Sequence, residues 1–272
     1  PGEPFPMALL QRVLAGFGAE EGIPREDFLY SEESWRQISR QYAERCTDPS
    51  FVDYFWTVRT MHAPLFLLAE VARRLPRFRV FHTVSTGFAG FLATTLHALR
   101  GRPVILSEHG IYTKERKIDL AQADWIKESS DEQRGSLGSG VGYIRRLWIR
   151  FFEGIGRLAY TAADPIISLY EGNRQRQIKD GAEPQRTRVI PNGIDLDRFA
   201  PLRSKRAATV PKVLGLIGRV VPIKDIKTFI RSMRCVCNRM PEAEGWIVGP
   251  TAEDPVYARE CEDLVTSLGL GG

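Results

Sequence analysis

From Arg79 onward the chain alternates short apolar runs with helical patterns, and it does so twice. The first series reads as a strand over Arg79–Ser85, a helix over Gly87–Arg100, a strand over Pro103–Glu108, and helix or loop plus helix over Ile111–Ser130. An amphipathic helix over Tyr143–Ala163 follows, then a strand over Asp164–Leu169, a helix over Glu171–Asp180 and a strand over Thr187–Ile190. After Pro191-Asn192-Gly193-Ile194-Asp195 a polar stretch runs through Thr209 with the character of a solvated connection. The alternation then restarts with a strand over Lys212–Ile217, a helix over Lys224–Asn238, a strand over Gly245–Val248 and a helix over Asp254–Leu268. Strands separated by helices of roughly 12–15 residues predict parallel, doubly wound α/β sheets. Two such series predict two Rossmann-like domains, the second incomplete in this chain. The expected division is a helical part over 1–76, the first Rossmann-like domain over 77–198, a connection over 199–211 and the start of the second domain over 212–272.

Ahead of the first strand, Trp35, Ile38 and Tyr42 have helical spacing. So do Phe51, Tyr54, Phe55, Val58, Met61, Leu65, Leu68 and Val71, which form one broad apolar face. Such a stripe is expected to pack against a neighbouring sheet rather than to bind a ligand. No run of about 18 apolar residues is present, so no membrane-spanning helix is expected. No secretory leader is visible. The first residue is Pro1, and Gly271 and Gly272 follow a helical pattern directly, so both ends are expected to be cut. Cys46, Cys235, Cys237 and Cys261 form no CxxC pair and are expected to be free thiols in a reducing compartment. The formal net charge of +5 suits an anionic small molecule or a membrane surface and does not by itself indicate nucleic acid. The Gly- and Ser-rich segment Asp131–Gly142 reads as a mobile loop. No GxGxxG follows a predicted strand, which argues against a dehydrogenase.

Four segments can carry chemistry. Gly218-Arg219-Val220-Val221-Pro222-Ile223-Lys224 follows a strand and opens a helix. Gly218 permits a close backbone turn, and Arg219 and Lys224 add cations to a helix N-terminus that already attracts anions. Arginine offers a planar fork and lysine a mobile charge to phosphate oxygens, so the segment suits a diphosphate; solvated surface cations are the plain alternative. The second, Ser107 to Lys117, sits at a strand's carboxyl end, where open α/β sheets bind ligands. His109 and Gly110 there either face a crevice or serve structure, and Lys114, Arg116 and Lys117 are expected to be exposed. The third, Phe81 to Gly87, has the same place one βα unit earlier, with His82 as the candidate and Ser85 or Thr86 as a helix cap. The fourth, Asn192-Gly193-Ile194-Asp195, is locally only a turn.

Their order and spacing resemble the pattern of glycosyltransferase family 4: a strand-end histidine in SEHG, the boundary VIPNGID, then GRVVPIKD at the start of the second domain. The segments HTVSTGFAGFLA, SEHGIYTKERKIDLAQADWI and GRVVPIKDIKTFIRS are similar to the PelF-type branch, the cytosolic glycosyltransferases of Pel exopolysaccharide synthesis. The likeness runs from about Phe51 to Leu270. It implies a GT-B fold with the active site between two Rossmann domains, the first binding acceptor and the second a nucleotide diphosphate sugar, most simply a UDP-sugar. It implies retention of anomeric configuration, no metal and no cofactor. By position, Arg219 and Lys224, with Gly218, would hold the donor diphosphate. His109 would be the catalytic-side group by the transferred sugar, and His82, Glu108, Gly110, Tyr112 and Lys114 would line the acceptor side. The implied partners are the nucleotide sugar, a polysaccharide acceptor and a membrane-embedded synthase subunit. The place is the cytoplasm, at the inner face of the membrane.

Two departures stand out. Asp225 occupies a position where the broad family usually has glycine, although the Lys224-Asp225 pair is normal for the PelF-type branch. The family's paired glutamates and the first glycine-rich loop are expected beyond Gly272 and before Pro1, so this piece alone is expected to lack activity. An NDP-sugar 2-epimerase shares the architecture. A non-catalytic nucleotide-binding subunit, docked on a membrane or partner through the basic and aromatic helix Tyr143–Arg157, is the reading from a different class.

Overall fold

The computed structural model describes residues 12–13, 16, 24–47, 50–126, 142–206 and 208–271. The chain divides into two compact units, Pro1–Gly193 and Ile194–Gly272. Both are α/β with parallel strands, as the alternation predicts. Most of Asp131–Gly142 lies outside the described residues.

The first unit opens with helices α1 (Arg25–Tyr30), α2 (Glu32–Arg45) and α3 (Phe51–Arg74). Ser31 and Ser50 cap α2 and α3 by accepting from the backbone N–H three residues on, which supplies one of the bonds a helix start lacks. The Rossmann-like part follows as β1 (Phe81–Thr83), α4 (Phe88–Arg100), β2 (Val104–Glu108), α5 (Tyr112–Gln122), α6 (Tyr143–Ala162), β3 (Ala163–Ser168), α7 (Glu171–Lys179) and β4 (Thr187–Val189). The four strands lie side by side in chain order, all parallel. Successive right-handed crossovers in one direction put the connecting helices on one face. The packing agrees: Ala93 of α4 and Tyr160 of α6 meet Val104, Leu106, Ala163 and Ile166 of the strands in one buried cluster.

Two helices differ from the sequence expectation. The apolar stripe of α3 packs on helices, not on a sheet: Tyr54 and Met61 join Phe91 of α4 and Trp148, Phe152 and Ile155 of α6 in a separate core. The helix read as an amphipathic surface helix, α6, is instead the centre of the unit. Ile144, Trp148, Ile149, Phe152, Ile155, Ala159 and Tyr160 are all buried, so its aromatic side serves the core. Gly90 makes this possible. A Cβ there would stand 2.9 Å from the Ala159 Cβ and 2.8 Å from the Ser85 carbonyl oxygen, so only glycine lets α4 approach α6 this closely.

In the second unit, α8 (Leu196–Phe199) and a 3-10 segment (Ala200–Lys205) consist of exposed residues. Then come β5 (Val213–Ile217), a 3-10 turn (Pro222–Lys224), α9 (Ile226–Cys237), β6 (Glu244–Val248) and α10 (Pro255–Ser267). Val220, Ile226, Ile230, Tyr257, Ala258 and Cys261 form its core with Leu216 and Ile247 of the strands.

Candidate functional site

The sequence candidates fall at the carboxyl ends of parallel strands in each unit, where an open α/β sheet leaves its loops free to bind. In the first unit they cluster on the loops after β1 and β2. Period-two alternation in Val104-Ile105-Leu106-Ser107-Glu108 puts Val104, Leu106 and Glu108 on the buried face. Glu108 therefore does not line a cleft as its position suggests; it is 1% exposed. Its carboxylate accepts from the Tyr160 hydroxyl at 2.8 Å, the Gln177 amide at 3.0 Å and the Thr86 hydroxyl at 3.2 Å, and from the Tyr112 backbone N–H. Burial pushes the carboxyl above the usual carboxylate range, and these four donors pull the other way. Tyr160 is held protonated, first by its own burial and then by the adjacent carboxylate. Thr86 does not cap α4, because its hydroxyl is spent on Glu108; the cap residue is Gly87, without a side-chain bond.

This hub fixes the loop that carries His109. Asn173 of α7 donates to the His109 carbonyl at 3.2 Å, leaving the imidazole exposed. The Glu115 carboxylate folds over Gly110: a Cβ there would come 2.0 Å from its Oε1. Tyr112 lies against Gly87, where a Cβ would meet its ring at 2.6 Å, so the two strand-end loops touch through a glycine backbone and an aromatic face. His82 is exposed, with Nε2 3.0 Å from the Ser107 hydroxyl on the neighbouring strand. Lys114 is exposed; Arg116 lies over the Phe152 ring at 5.0 Å, and Lys117 meets Glu153 at 3.5 Å. Asn173, Gln177 and Tyr160 carried no local signal in the sequence; they lie far along the chain from Glu108 and are brought to it by the crossovers.

In the second unit the loops after β5 and β6 meet through backbone. Gly218 N–H donates to the Val248 carbonyl at 2.9 Å and Val220 N–H to the Pro250 carbonyl at 3.0 Å. A Cβ on Gly249 would fall 1.8 Å from the Gly218 oxygen, so glycine is obligatory there. Arg219 is half-exposed and pairs with both oxygens of Glu253, at 2.6 and 2.7 Å. Lys224 is exposed and forms no ion pair among the described residues; its Cε lies 4.0 Å from where a Cβ of Gly218 would project. Asp225 is left-handed, with φ 49° and ψ 46°, and makes no capping bond. That conformation is one that glycine adopts at least cost, and it delays α9 to Ile226 where the sequence suggested Lys224. The loop presents a cation, backbone and a short turn at the head of a 12-residue helix, a set of groups able to take up an anion.

Three relatives are named D-inositol 3-phosphate glycosyltransferase. That of Kineococcus radiotolerans is 29% identical over 123 residues, 40% of this chain and 28% of the relative. That of Kribbella flavida is 30% identical over 101 residues, 33% and 24% respectively. That of Geodermatophilus obscurus is 32% identical over 108 residues, 35% and 24% respectively. The chain thus matches about a quarter of the length of these relatives. A family model covers much more of it: the one described as domain of unknown function DUF3492 matches residues 2–185, which takes in the helical start, β1 to β3, the Glu108 hub and α7. On that match the chain belongs to the DUF3492 family.

Proposed function

We propose that the protein of which this chain is part transfers a sugar from a nucleotide diphosphate sugar to an acceptor. The loop of Gly218, Arg219 and Lys224 at the carboxyl end of β5 carries the proposal. Departure of a nucleoside diphosphate builds charge on the β-phosphate, and two cations beside a helix start can stabilise it. The local likeness to named glycosyltransferases supports the same reading. The finer reading is a GT-B, PelF-type enzyme that retains configuration, needs no metal or cofactor, and uses a UDP-sugar to extend an exopolysaccharide. It works in the cytoplasm, beside a membrane-embedded synthase subunit. No helix among the described residues is long and apolar enough to cross a membrane.

In this proposal His109 contacts the transferred sugar, and His82, Gly110, Tyr112 and Lys114 serve the acceptor. Glu108 is withdrawn from the contacting set and made the residue that positions the loop. The test is Arg219→Ala and Lys224→Ala in the full-length protein, with sugar transfer and UDP affinity both measured. Loss of either contact is expected to cost about 3 kcal/mol of transition-state stabilisation, or about two decades in rate. Near-normal turnover in both variants refutes the phosphate role. Formation of an epimerised sugar nucleotide without acceptor refutes transfer.

A further inference from the structure

We propose that the acid-free stretch between Glu70 and Glu108 builds a docking surface for an anionic lipid membrane. Residues 71–107 hold six arginines, Arg73, Arg74, Arg77, Arg79, Arg100 and Arg102, with no lysine and no Asp or Glu. That exceeds the formal net charge of the whole chain, +5, so the surplus positive charge resides in this stretch.

Folding concentrates it. Arg100, the last residue of α4, donates to the carbonyls of Ala72 (2.6 Å), Arg73 (3.0 Å), Leu75 (2.8 Å) and Pro76 (3.1 Å) at the end of α3. A helix end leaves such carbonyls without intrahelical partners. Arg100 thereby joins the two segments, and Leu75, Arg77, Phe78, Arg100 and Arg102 line one recess. Arg74 answers Glu70 at 2.5 Å. Arg77, Arg79 and Arg102 are exposed and form no ion pair among the described residues. Leu67 of α3 and Val80, just ahead of β1, are exposed aliphatic side chains, at 57% and 46%.

The combination favours a lipid surface over nucleic acid. Single-strand binders offer free aromatic faces for base stacking. Here the Phe78 ring is already flanked, by the Arg100 guanidinium at 5.5 Å and the Phe81 ring at 6.0 Å. A duplex binder spreads roughly 6–10 phosphate contacts along a track, and three uncommitted arginines fall short of that. A compact basic cluster with exposed aliphatic neighbours fits a plane of anionic headgroups, which asks for charge without register. Arginine, always charged and able to grip phosphate with two N–H groups, suits that contact.

The test is flotation of the chain with phosphatidylcholine vesicles, with and without phosphatidylglycerol, beside a single-stranded oligonucleotide binding assay. It needs no turnover, so it stands apart from the transferase proposal. The chain is expected to float with the anionic vesicles only. Arg77→Ala, Arg79→Ala and Arg102→Ala are each expected to lower partitioning about fivefold. The charge-matched control Arg203→Ala, Lys205→Ala, Arg206→Ala, in an exposed segment of the other unit, is expected to keep most of the binding. All six side chains are solvent-facing, and unchanged circular dichroism melts show that folding is intact. No flotation of the unmodified chain, equal flotation with neutral vesicles, an equal loss in the control, or tighter arginine-dependent binding to the oligonucleotide overturns the proposal.

Discussion

Glu108→Ala is the sharpest probe of the first unit. The substitution leaves the Tyr160 hydroxyl, the Gln177 amide and the Thr86 hydroxyl without their acceptor, and all three residues are at most 1% exposed. Each buried donor left unpaired costs about 1–3 kcal/mol. Removing a desolvated charge returns part of that, because burial already holds the Glu108 carboxyl above its usual range. A net loss of about 3 kcal/mol is expected. For a unit of 193 residues that corresponds to a fall in Tm of roughly 6–12 °C. Glu108→Gln keeps the volume and removes the charge. The buried Gln177 Oε1 has no hydrogen-bond partner among the described residues, so a turn of that amide offers an acceptor to the new side chain. Glu108→Gln is therefore expected to stay within about 1 kcal/mol of the parent. The sign with pH follows from the raised value. The Glu108 contribution is full below the ordinary carboxylate value of 4.5 and is lost as pH rises through the elevated one. Parent and Glu108→Gln are compared by urea titration across that range, and the parent should lose stability relative to the variant as pH rises. A Glu108→Ala protein within 1 kcal/mol of the parent, or a difference that grows in the opposite direction, refutes the hub.

Gly249→Ala drives a methyl into the Gly218 carbonyl, 1.8 Å away, and the backbone must move. A loss of about 1–3 kcal/mol, with faster hydrogen exchange in the loops after β5 and β6, is expected; unchanged exchange refutes the close approach. Asp225→Gly relieves a left-handed backbone and is expected to stabilise by up to about 1 kcal/mol in urea titration, whereas a loss of stability shows that the aspartate earns its position by a contact. Glu253→Gln frees Arg219 from an exposed pair worth about 0–1 kcal/mol, so calorimetric UDP affinity in the full-length protein should tighten by up to about fivefold; a weakened affinity shows that Glu253 orients Arg219 rather than competing for it.

The architecture was legible because period decides it. The strands expected over Asp164–Leu169 and Lys212–Ile217 form over Ala163–Ser168 and Val213–Ile217, and the helix expected over Gly87–Arg100 forms over Phe88–Arg100. Boundaries failed where one residue's backbone decided, as at Asp225. Glu108 was legible too, though it was read otherwise: it shares the alternation of Val104 and Leu106, and that pattern points inward regardless of polarity. Its partners were not legible. Tyr160 and Gln177 sit on helices whose local patterns give no sign that one turn of each meets a carboxylate on β2. The aromatic side of α6 misled for a related reason. A helix that is apolar on one side and basic on the other has the same sequence whether its apolar side meets lipid or, as here, α3, α4 and α5.

The two strand-end sites also differ in how they hold charge, and salt separates them. At Arg219 and Lys224 the charges stand in water, where screening acts over about 8–10 Å at ordinary ionic strength. Binding of an anion there must weaken steadily as salt rises. The Glu108 carboxylate is sealed among donors from the loop after β1, from α6 and from α7, out of reach of the ion atmosphere, so the position it gives the His109 loop is independent of salt. A transferase built on both would lose donor affinity with salt while keeping its rate at saturating donor. If the saturated rate falls with salt as steeply as the affinity does, the loop carrying His109 is not held by the buried hub, and the division of labour drawn between positioning and binding is wrong.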